Sequence, residues 1–147
     1  MKENFSSENS TTDLFKMLQE SPEHFAELIR EGKVFDKTMT LADFLNELLV
    51  KQNISIPEVV TGSVLSKSFV YQIFNGERNP GRDILLRIAF AMHLTLEETQ
   101  QLLRLGEKGT LYPRVRRDAA IICCLEQGIS LDEADTFLHS ISEKGLL

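Results

Sequence analysis

ISIPEVVTGSVLSKSFVYQIFNGERNP, residues 54 to 80, reads as two short helices joined by a tight corner and closed by a glycine. Ser55 and Glu58 stand at the S-x-x-E spacing of a capping box, and Pro57 falls in the first turn, where a missing N–H costs nothing. A helix is therefore expected from there to about Gly62. A second begins at Ser66, whose hydroxyl can cap the first turn. Val70, Ile73 and Phe74 share its inward face, and Asn75-Gly76 ends it with a residue tolerant of positive φ. That leaves Lys67, Ser68, Tyr71, Gln72 and Asn75 pointing outward.

One ammonium, a hydroxyl, a phenol and two amides on the open face of a short helix suit base edges and phosphates in a major groove, not catalysis. Residues 54 to 105 resemble the Cro-like, phage-repressor (XRE) family of helix-turn-helix proteins. The matching text is S-K-S at the start of the second helix, V-Y-Q-I-F-N-G through it, E-R-N-P after it, then L-L-R-I-A-F-A-M and L-T-L-E-E. The resemblance implies that Lys67 and Ser68, with Tyr71 and Gln72, reach base edges and that Asn75 holds a phosphate. Ser66 opens the same helix, and Arg78 and Arg82 are the cations nearest its exposed end, so all three join the expected DNA contacts. A glutamine-like amide at Gln72 suits adenine. Where the family usually has a glutamine that clamps phosphate, this chain has Ile56. Val60 replaces a usual alanine, and Ser63 and Val64 replace the leucine and glycine usual at the corner. His93 stands where a helix-ending glycine is usual, a conformation that His tolerates better than most residues.

The implied fold is all-α: a five-helix lambda-repressor-like domain over 40–110, preceded by a polar arm and helical extension over 1–39 and followed by a C-terminal helical hairpin over 111–147. In the extension, Leu14, Phe15 and Leu18 fit one short helix, while Phe25, Leu28 and Ile29 fit another ending at Gly32; both read as core. Thr40 caps a helix with the stripe Leu41, Phe44, Leu45, Leu48 and Leu49. Phe90 stands where the family usually has a solvated lysine, so an added element should cover it. Sliding the chain by about 35 residues sets Arg82-Asp83 on Arg117-Asp118 and Leu94 to Glu98 on Ile129 to Glu133. Either this is a duplicated hairpin, or any two amphipathic hairpins would agree as well. The apolar set Ala120, Ile121, Cys124, Leu125, Phe137, Leu138 and Ile141 needs a wall outside the hairpin, which is also the candidate surface for a dimer or protein partner.

The chain of 147 residues has a net charge of -6, which argues against generic nucleic-acid binding. The charge is segregated, with 6 Lys/Arg against 11 Asp/Glu in 1–62, 9 against 5 in 63–117 and 1 against 6 in 118–147. A basic block around the reading helix, with acidic flanks, fits a selective and salt-sensitive binder. No apolar run approaches a membrane span, and Cys123 and Cys124, adjacent in a helix, read as inert core thiols in a reducing cytoplasm. His24, His93 and His139 lack zinc-site spacing, and no phosphate loop or nucleophile elbow occurs, so neither an enzyme nor a cofactor is indicated. Two functions follow: a sequence-specific double-stranded DNA-binding regulator, acting as a homodimer at a bacterial or phage nucleoid, or a protein-interaction module on the same fold that has lost DNA.

Overall fold

The computed structural model describes residues 16, 18, 19, 21–30 and 39–147, which fall into two units divided between Thr38 and Met39. The polar arm and the helix expected on Leu14 and Phe15 lie outside the described residues. Eight helices are found among the described residues, and no strand. In the first unit, α1 (Pro22–Arg30) is opened by Ser21, whose hydroxyl accepts from the His24 N–H at 3.2 Å. Phe25 and Ile29 were expected in a core but are 43% and 53% exposed.

The second unit holds α2 (Leu41–Gln52), α3 (Ile56–Ser63), α4 (Lys67–Phe74), α5 (Arg82–Ala91), α6 (Leu96–Leu105), α7 (Arg116–Gln127) and α8 (Leu131–Ser140). Thr40 and Asp43 form a reciprocal cap at the start of α2, at 3.1 and 3.2 Å, as do Thr95 and Glu98 at α6 and Ser130 and Glu133 at α8. The acids in these first turns therefore act as helix caps. At α3, Glu58 reaches back to the Ser55 N–H at 2.7 Å. Leu45 and Leu48 of the expected α2 stripe are buried, with Leu41, Phe44 and Leu49 packed around them. Helix α3 approaches α5 closely: a Cβ at Gly62 would lie 3.0 Å from the Ala91 Cβ, so a larger residue would push the two helices apart.

The C-terminal half repeats the α5–α6 hairpin. Helix α8 starts and ends 35 positions after α6 (96 to 131, 105 to 140), and the left-handed residues His93 and Glu107 recur as Gly128 and Ser142. The capping bonds recur in step: Leu94 N–H to Ala89 O becomes Ile129 N–H to Cys124 O, and Lys108 N–H to Leu103 O becomes Glu143 N–H to Leu138 O. Buried Leu111, whose N–H donates to the Gln100 side chain, has its equivalent in buried Leu146, whose N–H donates to Asp135.

At the centre of this repeat the two Arg-Asp pairs cross. Arg82 donates to both carboxylate oxygens of Asp118 at 2.9 and 2.8 Å, and to the carbonyls of Gly109 and Thr110. Arg117 donates to both oxygens of Asp83 at 3.0 and 3.1 Å, and to the carbonyls of Lys144 and Gly145, again 35 positions on (109 to 144, 110 to 145). Each guanidinium thus grips the end of its own hairpin and the carboxylate of the other. The packing follows the same exchange, with α5 against α8 and α6 against α7. Phe90 is covered as expected, at 3% exposure; Phe90, His93 and Leu94 meet Leu125, Gly128 and Ile129 around a cavity of about 40 Å³. Ile121, Cys124 and Leu138 are buried, but Phe137 stays exposed. Burial pushes the Cys124 thiol up, helped by its neighbour Cys123, which is exposed and so is not a core thiol.

Burial works against the Asp118 carboxylate, but Arg82, the Tyr112 N–H and the charge of Arg117 outweigh it and hold Asp118 below the usual carboxylate range. The group is more acidic folded than unfolded, so its contribution is complete above the unfolded value of about 3.9 and drains as pH falls through the folded value. Asp118→Asn should cost about 2–3 kcal/mol at neutral pH in urea denaturation, because Arg82 loses its ionic partner. The variant should also lose less further stability than the parent on acidification below about pH 4. A parent and variant with parallel pH profiles would exclude this linkage.

Candidate nucleic-acid interface

Helix α4 is fixed from three sides. Ser66 caps it, its hydroxyl accepting from the Phe69 N–H at 3.2 Å; Val70, Ile73 and Phe74 are buried in the core; and Asn46 of α2 donates to the Phe74 carbonyl at 2.9 Å. At its end Gly76, at φ 80°, donates to Ile73 O, while Glu77 donates to Gln72 O at 2.8 Å. This turn sends the chain back over the helix and places Arg78 beside Gln72.

The expected contacts gather on this one face, apart from Arg82. Ser66, Lys67, Ser68 and Asn75 are exposed, Tyr71 and Gln72 are half-buried, and Arg78 is exposed. The Lys67 ammonium lies 5.9 Å from the Tyr71 ring centre and the Arg78 guanidinium 5.5 Å from that of Phe69, both within cation–π range. Arg78 Nε also donates to Gln72 Oε1 at 2.8 Å. Glu77 is the one carboxylate between Val64 and Arg82 in the sequence. Arg82 leaves the set: four of its five N–H groups are engaged by Asp118, Gly109 and Thr110, which raises its pKa through the Asp118 hydrogen bond despite burial. It is a structural clamp.

The basic block also changes meaning. Arg82, Arg116 and Arg117 pair with Asp118, Glu143 and Asp83, so part of the positive charge in 63–117 is spent on the acidic C-terminal segment and on α5. Lys67 and Arg78 have no acidic partner among the described residues, and they sit at the two ends of the α4 face.

The corner between α3 and α4 is rebuilt around Val64, which takes the left-handed conformation at φ 56° and stands 63% exposed. A β-branched residue is costly there, and its side chain recovers little by packing. What holds it is Arg87 of α5, donating to the Ser63 carbonyl at 3.0 Å and the Val64 carbonyl at 2.7 Å. Buried Ser63 turns its hydroxyl to the Val60 carbonyl at 3.3 Å. Arg87 and Asn46 position α4 and its corner without belonging to the exposed face, and nothing in their sequence surroundings marks them for this role. Ile56 is half-buried against the core.

No protein-family model, no curated protein and no solved structure matches this chain.

Relief of the left-handed strain should outweigh the added backbone freedom of glycine, so Val64→Gly is expected to stabilise the protein by about 1 kcal/mol. Chemical denaturation of parent and variant measures it. A destabilised Val64→Gly would mean that the valine side chain makes a contribution larger than its strain.

Proposed function

We propose that the chain is a sequence-specific, double-stranded DNA-binding regulator that reads the major groove with α4 in a helix-turn-helix of the lambda-repressor-like kind. The observation that carries this reading is the α4 face itself. Ser66, Lys67, Ser68, Tyr71, Gln72, Asn75 and Arg78 converge on one open surface rich in donors, with cations at both ends, on a helix anchored by its caps and its buried side. Asn75 is suited to a phosphate, Lys67 and Arg78 to phosphates or base edges, and Ser68, Tyr71 and Gln72 to base edges. One such helix reads only a few base pairs, so the protein is proposed to act as a homodimer on two half-sites about one helical turn apart.

A second reading, a protein-interaction module on the same fold, is favoured by two observations. Ile56 packs against the core where an amide would hold phosphate, and Val64 presents an exposed aliphatic side chain beside the reading helix.

With only Lys67 and Arg78 free of acids on the face, duplex binding should weaken with salt at a logarithmic slope of about 2 per chain. Lys67→Glu should abolish specific binding in an anisotropy titration at moderate salt, and sedimentation of the parent complex should give two chains per site. A Lys67→Glu variant that binds as well as the parent would contradict the DNA reading. Failure of the parent to bind any duplex at low salt would favour the interaction module.

A further inference from the structure

Gln72 and Arg78 are joined before any ligand arrives, and the join changes what each can read. A lone glutamine amide offers one acceptor and two donors, the combination that matches the donor and acceptor of adenine in the major groove. Here one of the two lone pairs of that acceptor is already taken: Gln72 Oε1 receives the Arg78 Nε–H at 2.8 Å. A second donor approaching that oxygen, such as the amino group of adenine, would meet the guanidinium charge as well. What remains outward is the Gln72 Nε2 amino group and the Nη1 and Nη2 edge of Arg78, all donors.

Two contacts hold this arrangement. The Arg78 guanidinium lies 5.5 Å from the ring centre of Phe69, which is itself packed against the core, and the Gly76 turn bonds Glu77 N–H to Gln72 O at 2.8 Å, fixing the path that brings Arg78 back over the helix. Among the described residues the Arg78 Nη groups make no hydrogen bond, and that edge of the guanidinium is the one that matches a pair of acceptors. In the major groove the base presenting two acceptors side by side is guanine, through N7 and O6.

We infer that Gln72 and Arg78 work as one donor-only unit that selects guanine in each half-site, with Phe69 as the shelf that holds the arginine in place. This rests on the proposal that α4 reads DNA and adds to it the identity of a base and the pair that chooses it. It also replaces the adenine preference that Gln72 alone would imply. Arg78 thereby becomes a specificity residue instead of a simple phosphate anchor.

The test is selection of duplexes from a random pool with the full chain and with its Gln72→Ala, Arg78→Ala and Arg78→Lys variants, followed by anisotropy titration of matched duplexes differing at one base pair. The parent should select guanine at the position where Gln72→Ala relaxes preference. Arg78→Ala frees the Gln72 carbonyl, so the guanine-over-adenine ratio at that position should fall roughly tenfold or more and turn toward adenine. Arg78→Lys keeps the charge without the fork and should lose the same discrimination while retaining more of the overall affinity. Both side chains lie at the surface, and an unchanged melting temperature identifies variants that remain folded. Selection of adenine by the parent at that position would overturn the inference and leave the DNA reading standing, as would an Arg78→Ala loss that is uniform across all sequences. Absence of any enriched duplex and of binding at low salt would overturn both together.

Discussion

Two arginines exchanged between two copies of one hairpin are the constraint on which the rest of this molecule depends. Arg82 at the start of α5 binds Asp118 at the start of α7, and Arg117 returns the bond to Asp83. Each also closes the far end of its own hairpin through two carbonyls, so neither hairpin can move without opening bonds in both. The buried surfaces around Phe90, Ile121 and Leu138 supply the apolar contribution to the interface; the crossed pairs fix its register. Helix α5 then carries the constraint forward. Five residues after the clamp, Arg87 grips the carbonyls of Ser63 and Val64, so the strained corner that aims α4 is held by a helix that is itself held by the C-terminal hairpin.

This arrangement gives the uneven charge of the chain a structural meaning. The acidic C-terminal segment meets part of the basic block directly, neutralising Arg82 and Arg116, while Arg117 is answered by Asp83 within that block. Lys67 and Arg78 have no acidic partner among the described residues and keep their charge at the α4 surface. An overall charge of -6 is then compatible with a local donor surface, because the acids are placed on other elements.

Much of this was legible in the sequence where the physics is local. The cap at Thr40, the left-handed His93 and the closing Gly76 depend only on residues within a turn of one another, and the structure has them where the sequence predicts. Phe90 was legible for another reason: an aromatic at a solvated position needs a cover. The repeat showed itself as a shift of about 35 residues, but spacing cannot tell whether the two arginines face each other or face solvent. Arg82 was therefore read as a DNA contact when four of its five N–H groups are engaged within the protein. The Gln72–Arg78 pair was hidden for the same reason, since it forms across a turn whose path depends on Gly76. Cys123 and Phe137, read as part of the apolar core, are exposed.

The crossed arginine–aspartate pairs make residues 39–147 one cooperative unit in which the C-terminal hairpin supports α4. Native-state hydrogen exchange tests it most directly, by comparing the opening free energies of the interior amides of α7 and α8 with those of α4, α5 and α6. The slowest amides of both groups should share one value and respond equally to added denaturant, as parts of a single opening event. Slowest amides in α7 and α8 that open at a clearly lower free energy, and with a smaller denaturant dependence than those of α4 to α6, would contradict it. They would show a hairpin that detaches while the rest of the unit stays folded.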